Sequence, residues 1–170
     1  HSEMLPQFRH FAERGRSTRR LATGLTVFIV GLFKKVFIAD GLAIWATPVF
    51  AAADQGAALG ALEAWCGTFA YTFQLYFDFS GYSDMAIATA GLLGYRLCAN
   101  FDAPYGSINI AEFWRRWHIS LSTWLRDYLY ISLGGNRGSR LFTYRNLMLT
   151  MLLGGLWPGA SWQFVIWGFL

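Results

Sequence analysis

The sequence predicts an all-α fold, a polytopic transmembrane helical protein with re-entrant or amphipathic helices, and three observations carry that expectation. Of 170 residues, 55% are hydrophobic and 18% aromatic but only 14% are charged, against roughly a quarter charged in ordinary soluble domains. Long apolar runs alternate with clusters of arginine or lysine, the pattern of membrane helices and cytoplasmic loops. One apolar run is interrupted by Pro158-Gly159, a broken helix that only surrounding protein or a water-filled cavity can tolerate at membrane depth.

Residues 1–35 read as a basic cytoplasmic or interfacial segment. Arg9, Arg14, Arg16, Arg19 and Arg20 place its start on the cytoplasmic face. Leu21 to Phe33 is apolar but thirteen residues long, short of the roughly twenty a span needs. Lys34 and Lys35 follow, and a span through them would cost about 2.5 to 3.5 kcal/mol each unless they faced other protein. The first membrane helix is therefore expected at 36–53, although Asp40 and Pro48 lie inside it. A small-residue stretch, 51–58, is the candidate linker.

The second membrane helix is expected at 59–80, with Gly81 marking a break before a re-entrant or amphipathic piece at 82–93. Asp78 and Asp84 are two acids in a very apolar setting. Two roles stand open for them, helix capping or interhelical pairing on one side and a functional cavity on the other. A loop over 97–108, rich in turn residues, then delivers the chain to its most unusual stretch.

That stretch, 109–133, is too charged for lipid and too aromatic for water. Asn109 followed by Glu112 reads as a capping-box start, and Gly134-Gly135-Asn136 as a stop. The expectation is one helix of about five to six turns. Trp114, Trp117, Leu121, Trp124 and Tyr128 would form an apolar stripe, and His118, Ser122 and Arg126 a polar row at steps of four. Arg137, Arg140 and Arg145 label the following loop cytoplasmic, so this helix is expected to enter the membrane only partly. The last membrane segment is 146–170, broken at Pro158.

The remaining composition narrows the classes. A net charge of +4, gathered near hydrophobic segments, fits cytoplasmic loops and anionic membrane lipid and excludes nucleic acid, for which no motif is present. Cys66 and Cys98 make neither a disulfide scaffold nor a metal site and read as packing residues. The chain starts at His1, without a signal peptide, and stops at Leu170 inside an apolar run, so both ends read as cut.

Three stretches, YFDFSGYSDMAIATAGLLGYR from Tyr76, EFWRRWHISLSTWLRDYLYISLGGNRG from Glu112 and RNLMLTMLLGGLWPGASWQFVIWG from Arg145, resemble the membrane-bound O-acyltransferase family. Within it they are most similar to the bacterial alginate O-acetylase branch. The resemblance implies a single, incomplete domain of that fold over 1–170, a ring of helices around a thinned centre in the bacterial inner membrane. It also implies no bound cofactor, and acetyl-coenzyme A or a derivative arriving from the cytoplasm as donor substrate. The implied partners are an alginate-like polysaccharide acceptor together with periplasmic acetylation and export proteins.

Two histidines carry the family's chemistry, and one is kept. His118 matches the RWHxS motif and is the candidate catalytic residue, whereas the GLWHGA motif has Pro158 at its histidine position. Acyl transfer to a hydroxyl requires a base of near-neutral pKa beside that hydroxyl, and proline offers none. The candidate donor- or substrate-binding residues are Arg115, Arg116, Ser122, Arg126, Asp78 and Asp84, with no metal site. Asp127 reads as a structural partner of Arg126. The competing reading is a non-catalytic homologue acting as a scaffold in a polysaccharide export complex, which Pro158 favours. A channel or transporter is a third reading that the motifs argue against.

Overall fold

The structure, a computed structural model, describes residues 5–9, 18–156 and 166. Apart from one isolated bridge between Phe101 and Trp117, the regular elements among them are helical. The all-α expectation holds. The chain divides into two compact units, His1–Ala99 and Asn100–Leu170.

In the first unit, a short helix α1 (Leu5–Arg9) precedes α2 (Thr18–Phe33), a π-helical segment Lys34–Ala39, and α3 (Asp40–Asp54). The last three form one continuous helical path, since the junction residues Phe33, Ala39 and Asp40 all keep right-handed helical dihedrals. The path ends where Gly56, at φ +75°, sends its amide to the Ala53 carbonyl and Ala57 sends its own to Ala52. This closure needs the left-handed backbone that glycine adopts freely. Helix α4 (Ala61–Leu92) then returns antiparallel against the whole path.

Glycine sets how closely the two paths approach. A Cβ on Gly31 would lie 2.7 Å from the Gly81 carbonyl oxygen, and one on Gly81 would lie 2.7 Å from that of Gly31. Gly67 similarly accommodates Val49, whose Cγ1 would lie 2.5 Å from an added Cβ. Gly81 therefore does not break the helix between 80 and 82 as expected. One 32-residue helix runs through it, because the glycine is a crossing point and packing offsets its propensity cost of about 1 kcal/mol.

Leu21 to Phe33 forms most of α2, the first part of that same long path. Its lysines face other protein. Lys34 Nζ lies 2.6 Å from Asp84 Oδ2, while Lys35 pairs with Asp78 and lies 3.7 Å from Asp40 Oδ1. The π segment, in which the Asp40 amide reaches back to the Lys35 carbonyl, has less rotation per residue than an α-helix, so two consecutive lysines can both address α4.

Among the described residues no helix is long and apolar enough to cross a membrane. The segments expected as spans, 36–53 and 59–80, are helical from Val36 and from Ala61; the first carries Asp40, and the second carries Glu63 and Asp78 together with Gln74, Tyr71 and Tyr76. Large apolar side chains are nevertheless exposed along these helices, among them Ile29, Phe37, Ile44, Trp45, Leu62 and Trp65.

The second unit starts with an irregular strap, residues 100–109, that includes a 3-10 turn Pro104–Gly106. It continues through α5 (Ile110–Arg116), α6 (Ile119–Trp124), a π-helical segment Leu125–Tyr130 and α7 (Arg140–Leu156). The capping start is present: the Glu112 amide donates to Asn109 Oδ1 at 2.8 Å, and Glu112 Oε2 accepts from the Ile108 amide at 3.0 Å. The stop is present too, with Gly134 and Gly135 at φ +105° and +56°.

Between them the expected single helix over 109–133 is broken. Trp117 is extended and His118 takes φ 45°, ψ 56°. The break is held from outside the segment, by the strap. The Asp102 amide donates to the Arg116 carbonyl at 3.0 Å, and Ile119 donates to the Asn100 carbonyl at 3.0 Å. Asn100 Oδ1 accepts the Ser120 amide at 3.2 Å, which supplies the side-chain cap that His118 does not.

Helix α7 begins six residues before the expected start at Asn146. Asn146 is almost wholly buried, donating from Nδ2 to the Gly135 carbonyl at 3.0 Å and accepting the Arg145 guanidinium on Oδ1 at 2.8 Å. Further along, an added Cβ on Gly154 would lie 2.8 Å from Leu125 Cδ1, so α7 lies close against the π segment. The break expected at Pro158-Gly159, and the rest of 146–170 beyond Leu156 apart from Ile166, lie outside the described residues.

Candidate functional site

The second unit contains a cavity of about 570 Å³ bounded by the α5–α6 break, the π segment and α7. His118, Arg115, Ser122 and Arg126 all line it, with Leu147, Thr150 and Gly154 opposite. Four of the sequence-predicted residues are thus brought together, although not by the helical row their spacing suggested.

The break explains the difference. His118 precedes α6 and is placed by its own left-handed backbone, a conformation that costs a non-glycine residue of order 1 kcal/mol or more. The aromatic stripe is divided in the same way. Trp117, only 5% exposed, is enclosed by Phe101, Tyr105 and Phe113 with ring centroids 5.0 to 6.1 Å away. Trp124, by contrast, is 46% exposed and stacks on Tyr128.

His118 is half-buried, and burial pushes its imidazole below the usual histidine pKa. The neutral ring is therefore favoured near pH 7, where it can accept a proton. Arg115 and Arg126 bring positive charge to the same cavity. Arg126 is partly engaged already, since its Nε lies 2.7 Å from Asp127 Oδ1 and holds that carboxyl below its usual range. The expected structural role of Asp127 fits this geometry.

Other candidates are occupied differently. The Ser122 hydroxyl is directed at the main chain, 3.2 Å from the Trp114 carbonyl oxygen and 3.3 Å from that of Trp117, so it ties α6 to the end of α5. Arg116 pairs with Glu112 at 2.5 Å and is not part of the cavity lining. The Ile108 amide, and then the Arg116 and Arg115 guanidinium groups, hold the Glu112 carboxyl below its usual range. Asp78 and Asp84 belong to the first unit, where each neutralises a lysine. Pro158 lies outside the described residues.

Two contributors were not read from the sequence as site residues. Asn100 fixes the backbone after His118 from a loop position nineteen residues before Ile119, and nothing local announces that reach. Thr150 lines the cavity and donates its hydroxyl to the Asn146 carbonyl one turn earlier, and its place four residues after Asn146 in an otherwise apolar run was the available signal. Among the described residues no group of three or more His, Cys, Asp or Glu side chains is placed to hold a metal ion.

A neutral imidazole and two guanidinium groups thus line one partly apolar cavity. The chain belongs to the MBOAT, or membrane-bound O-acyltransferase, family, whose model matches residues 1–170. It is 59% identical over 166 residues to the probable alginate O-acetylase AlgI of Azotobacter vinelandii, covering 98% of this chain and 32% of that protein. It is 51% identical over 170 residues to the peptidoglycan O-acetyltransferase of Helicobacter pylori, again covering 32% of the relative. A teichoic acid D-alanyltransferase of Streptococcus thermophilus is 37% identical over 107 residues, 59% of this chain and 26% of that protein. The chain therefore spans about a third of the length of the first two relatives.

Proposed function

We propose that this chain is the central portion of a polytopic O-acyltransferase of the bacterial inner membrane that moves an acetyl group onto hydroxyls of an extracytoplasmic polysaccharide. The observation that carries the reading is the half-buried His118, facing the same cavity as Arg115 and Arg126. The imidazole accepts the acceptor hydroxyl's proton as the new oxygen–acyl bond forms and the donor thioester's carbon–sulfur bond breaks; the proton then passes to the departing thiolate. The guanidinium groups hold anionic parts of acetyl-coenzyme A or a related donor.

Alginate is the favoured acceptor, because the identity to the alginate-type relative exceeds that to the peptidoglycan-type one. Periplasmic acetylation and export proteins complete the proposed assembly. A second reading, a non-catalytic homologue serving as scaffold, is favoured by Pro158, which stands where the family motif has histidine.

Polysaccharide O-acetylation, measured in a host lacking its own acetylase with the full-length protein and its Pro158→His and His118→Ala variants, separates the two. Activity in either the parent or the Pro158→His protein that His118→Ala abolishes supports the enzyme reading. No acetylation in any of them supports the scaffold.

A further inference from the structure

Two adjoining cavities of the first unit share Arg20 and Gly91 in their linings. One, of about 420 Å³, is a largely apolar slot between α2 and α4, walled by Gly24, Val27 and Ile87 and ending at Arg19 and Arg20. The other, of about 430 Å³, is a polar mouth formed with Gln7 and Arg96. Among the described residues, no Asp or Glu lines either one.

The mouth is built rather than incidental. The Gln7 side chain bonds the Arg96 main chain in both directions, donating to its carbonyl at 2.9 Å and accepting its amide at 2.8 Å. The Phe8 ring lies 5.2 Å from that of Tyr95, so α1 is fixed against the end of α4. The slot is open where it meets the mouth, since a Cβ added at Gly91 would meet nothing within 4 Å.

We propose that slot and mouth together bind one anionic phospholipid, an acyl chain lying in the groove along the α2–α4 seam and the phosphate resting at Arg19, Arg20 and Arg96. From Arg20 to Val27 the slot runs roughly 10 Å along the helix, more than a bare phosphate fills and apolar enough for a hydrocarbon chain. Basic residues beside a hydrophobic helix are the charge complement of anionic headgroups at the cytoplasmic leaflet. This site goes beyond the acetyl-transfer reading and does not depend on it.

Native mass spectrometry of the detergent-solubilised full-length protein, titrated with dioleoylphosphatidylglycerol or dioleoylphosphatidylcholine, tests the assignment. The parent retains the anionic lipid in preference to the zwitterionic one. Arg20→Gln combined with Arg96→Gln removes that preference, by about fivefold for each arginine, and the corresponding lysine pair keeps most of it. Gly91→Leu, which fills the slot, lowers retention of both lipids. Circular dichroism confirms that each variant keeps its helix content, and Gly91→Ala gives a graded, smaller loss if the leucine does not fold. Anionic preference that survives the glutamine pair overturns the proposal, as does unchanged retention in Gly91→Leu or full displacement of the lipid by equimolar inorganic phosphate.

Discussion

The main-chain carbonyl of Asn100 accepts the amide of Ile119 at 3.0 Å, and through this bond a loop upstream of α5 sets the direction in which His118 faces its cavity. The Asn100 side chain adds the Ser120 amide. Asn100→Ala removes only the second bond, so it should cost about 1 kcal/mol of stability, as other N-caps do. Acetyl transfer should fall further, by about tenfold or more, because small misplacements of a reacting group are costly. Asn100→Asp keeps an acceptor and should restore most of the rate. Full activity in the alanine variant would mean that the strap does not position His118.

Burial depresses the His118 pKa, and the sign of its pH effect follows. Well above the ordinary value of about 6.5, both folded and unfolded imidazoles are neutral. As pH falls from there toward the lower folded value, the unfolded chain binds the proton first, so stability is lost on acidification through that window. The acid limb of acetyl transfer should accordingly lie below pH 6.5. A rate profile whose histidine limb sits at or above that value contradicts a buried neutral base.

Lys34 and Asp84 are each about one-quarter exposed and pair at 2.6 Å. Removing one partner strands the other beside apolar helices. Lys34→Met or Asp84→Leu alone should cost about 2 kcal/mol, between the values for exposed and buried pairs. The double variant should recover much of that loss. A thermodynamic cycle showing simple additivity would mean the two charges do not support each other.

Gly81 and Gly91 lie in the same helix yet should respond oppositely to alanine. At Gly81 the added methyl would meet backbone at 2.7 Å and force α2 and α4 apart, at a cost of about 1–3 kcal/mol. At Gly91 it would meet nothing, leaving only the gain in helix propensity, up to about 1 kcal/mol. Thermal unfolding of the two variants in one detergent decides this, and equal shifts would refute the crossing-point account.

Much of the fold was legible because it is local. The capping start at Asn109 and Glu112 and the glycine stop at Gly134 depend on neighbours a few residues away, and both stand as read. What the sequence did not disclose is set by distant contacts. Nothing between Glu112 and Tyr128 marks a break, since His118 is held in its left-handed conformation by a strap that ends before α5 begins. Gly81 looks like a helix end in isolation and becomes a contact surface only once Gly31 lies against it. Lys34 and Lys35 are costly on a helical path through lipid and are accommodated only because Asp84 and Asp78 lie opposite. The sequence named His118, Arg115 and Arg126, which line the cavity, beside Arg116, which is claimed by Glu112, and Ser122, which is claimed by main-chain carbonyls.

The π-helical segment from Lys34 to Ala39 amounts to one surplus residue carried within a longer helix. Deleting one of those six positions would let the helix relax to its ordinary pitch with its two flanks still facing nearly the same way, because six residues at the slower π rotation turn about as far as five at 100° each. Gly31 would stay against Gly81. Neighbouring lysines would then diverge by a full α-helical step and could no longer both address α4, so the surplus residue serves the paired charges rather than the packing.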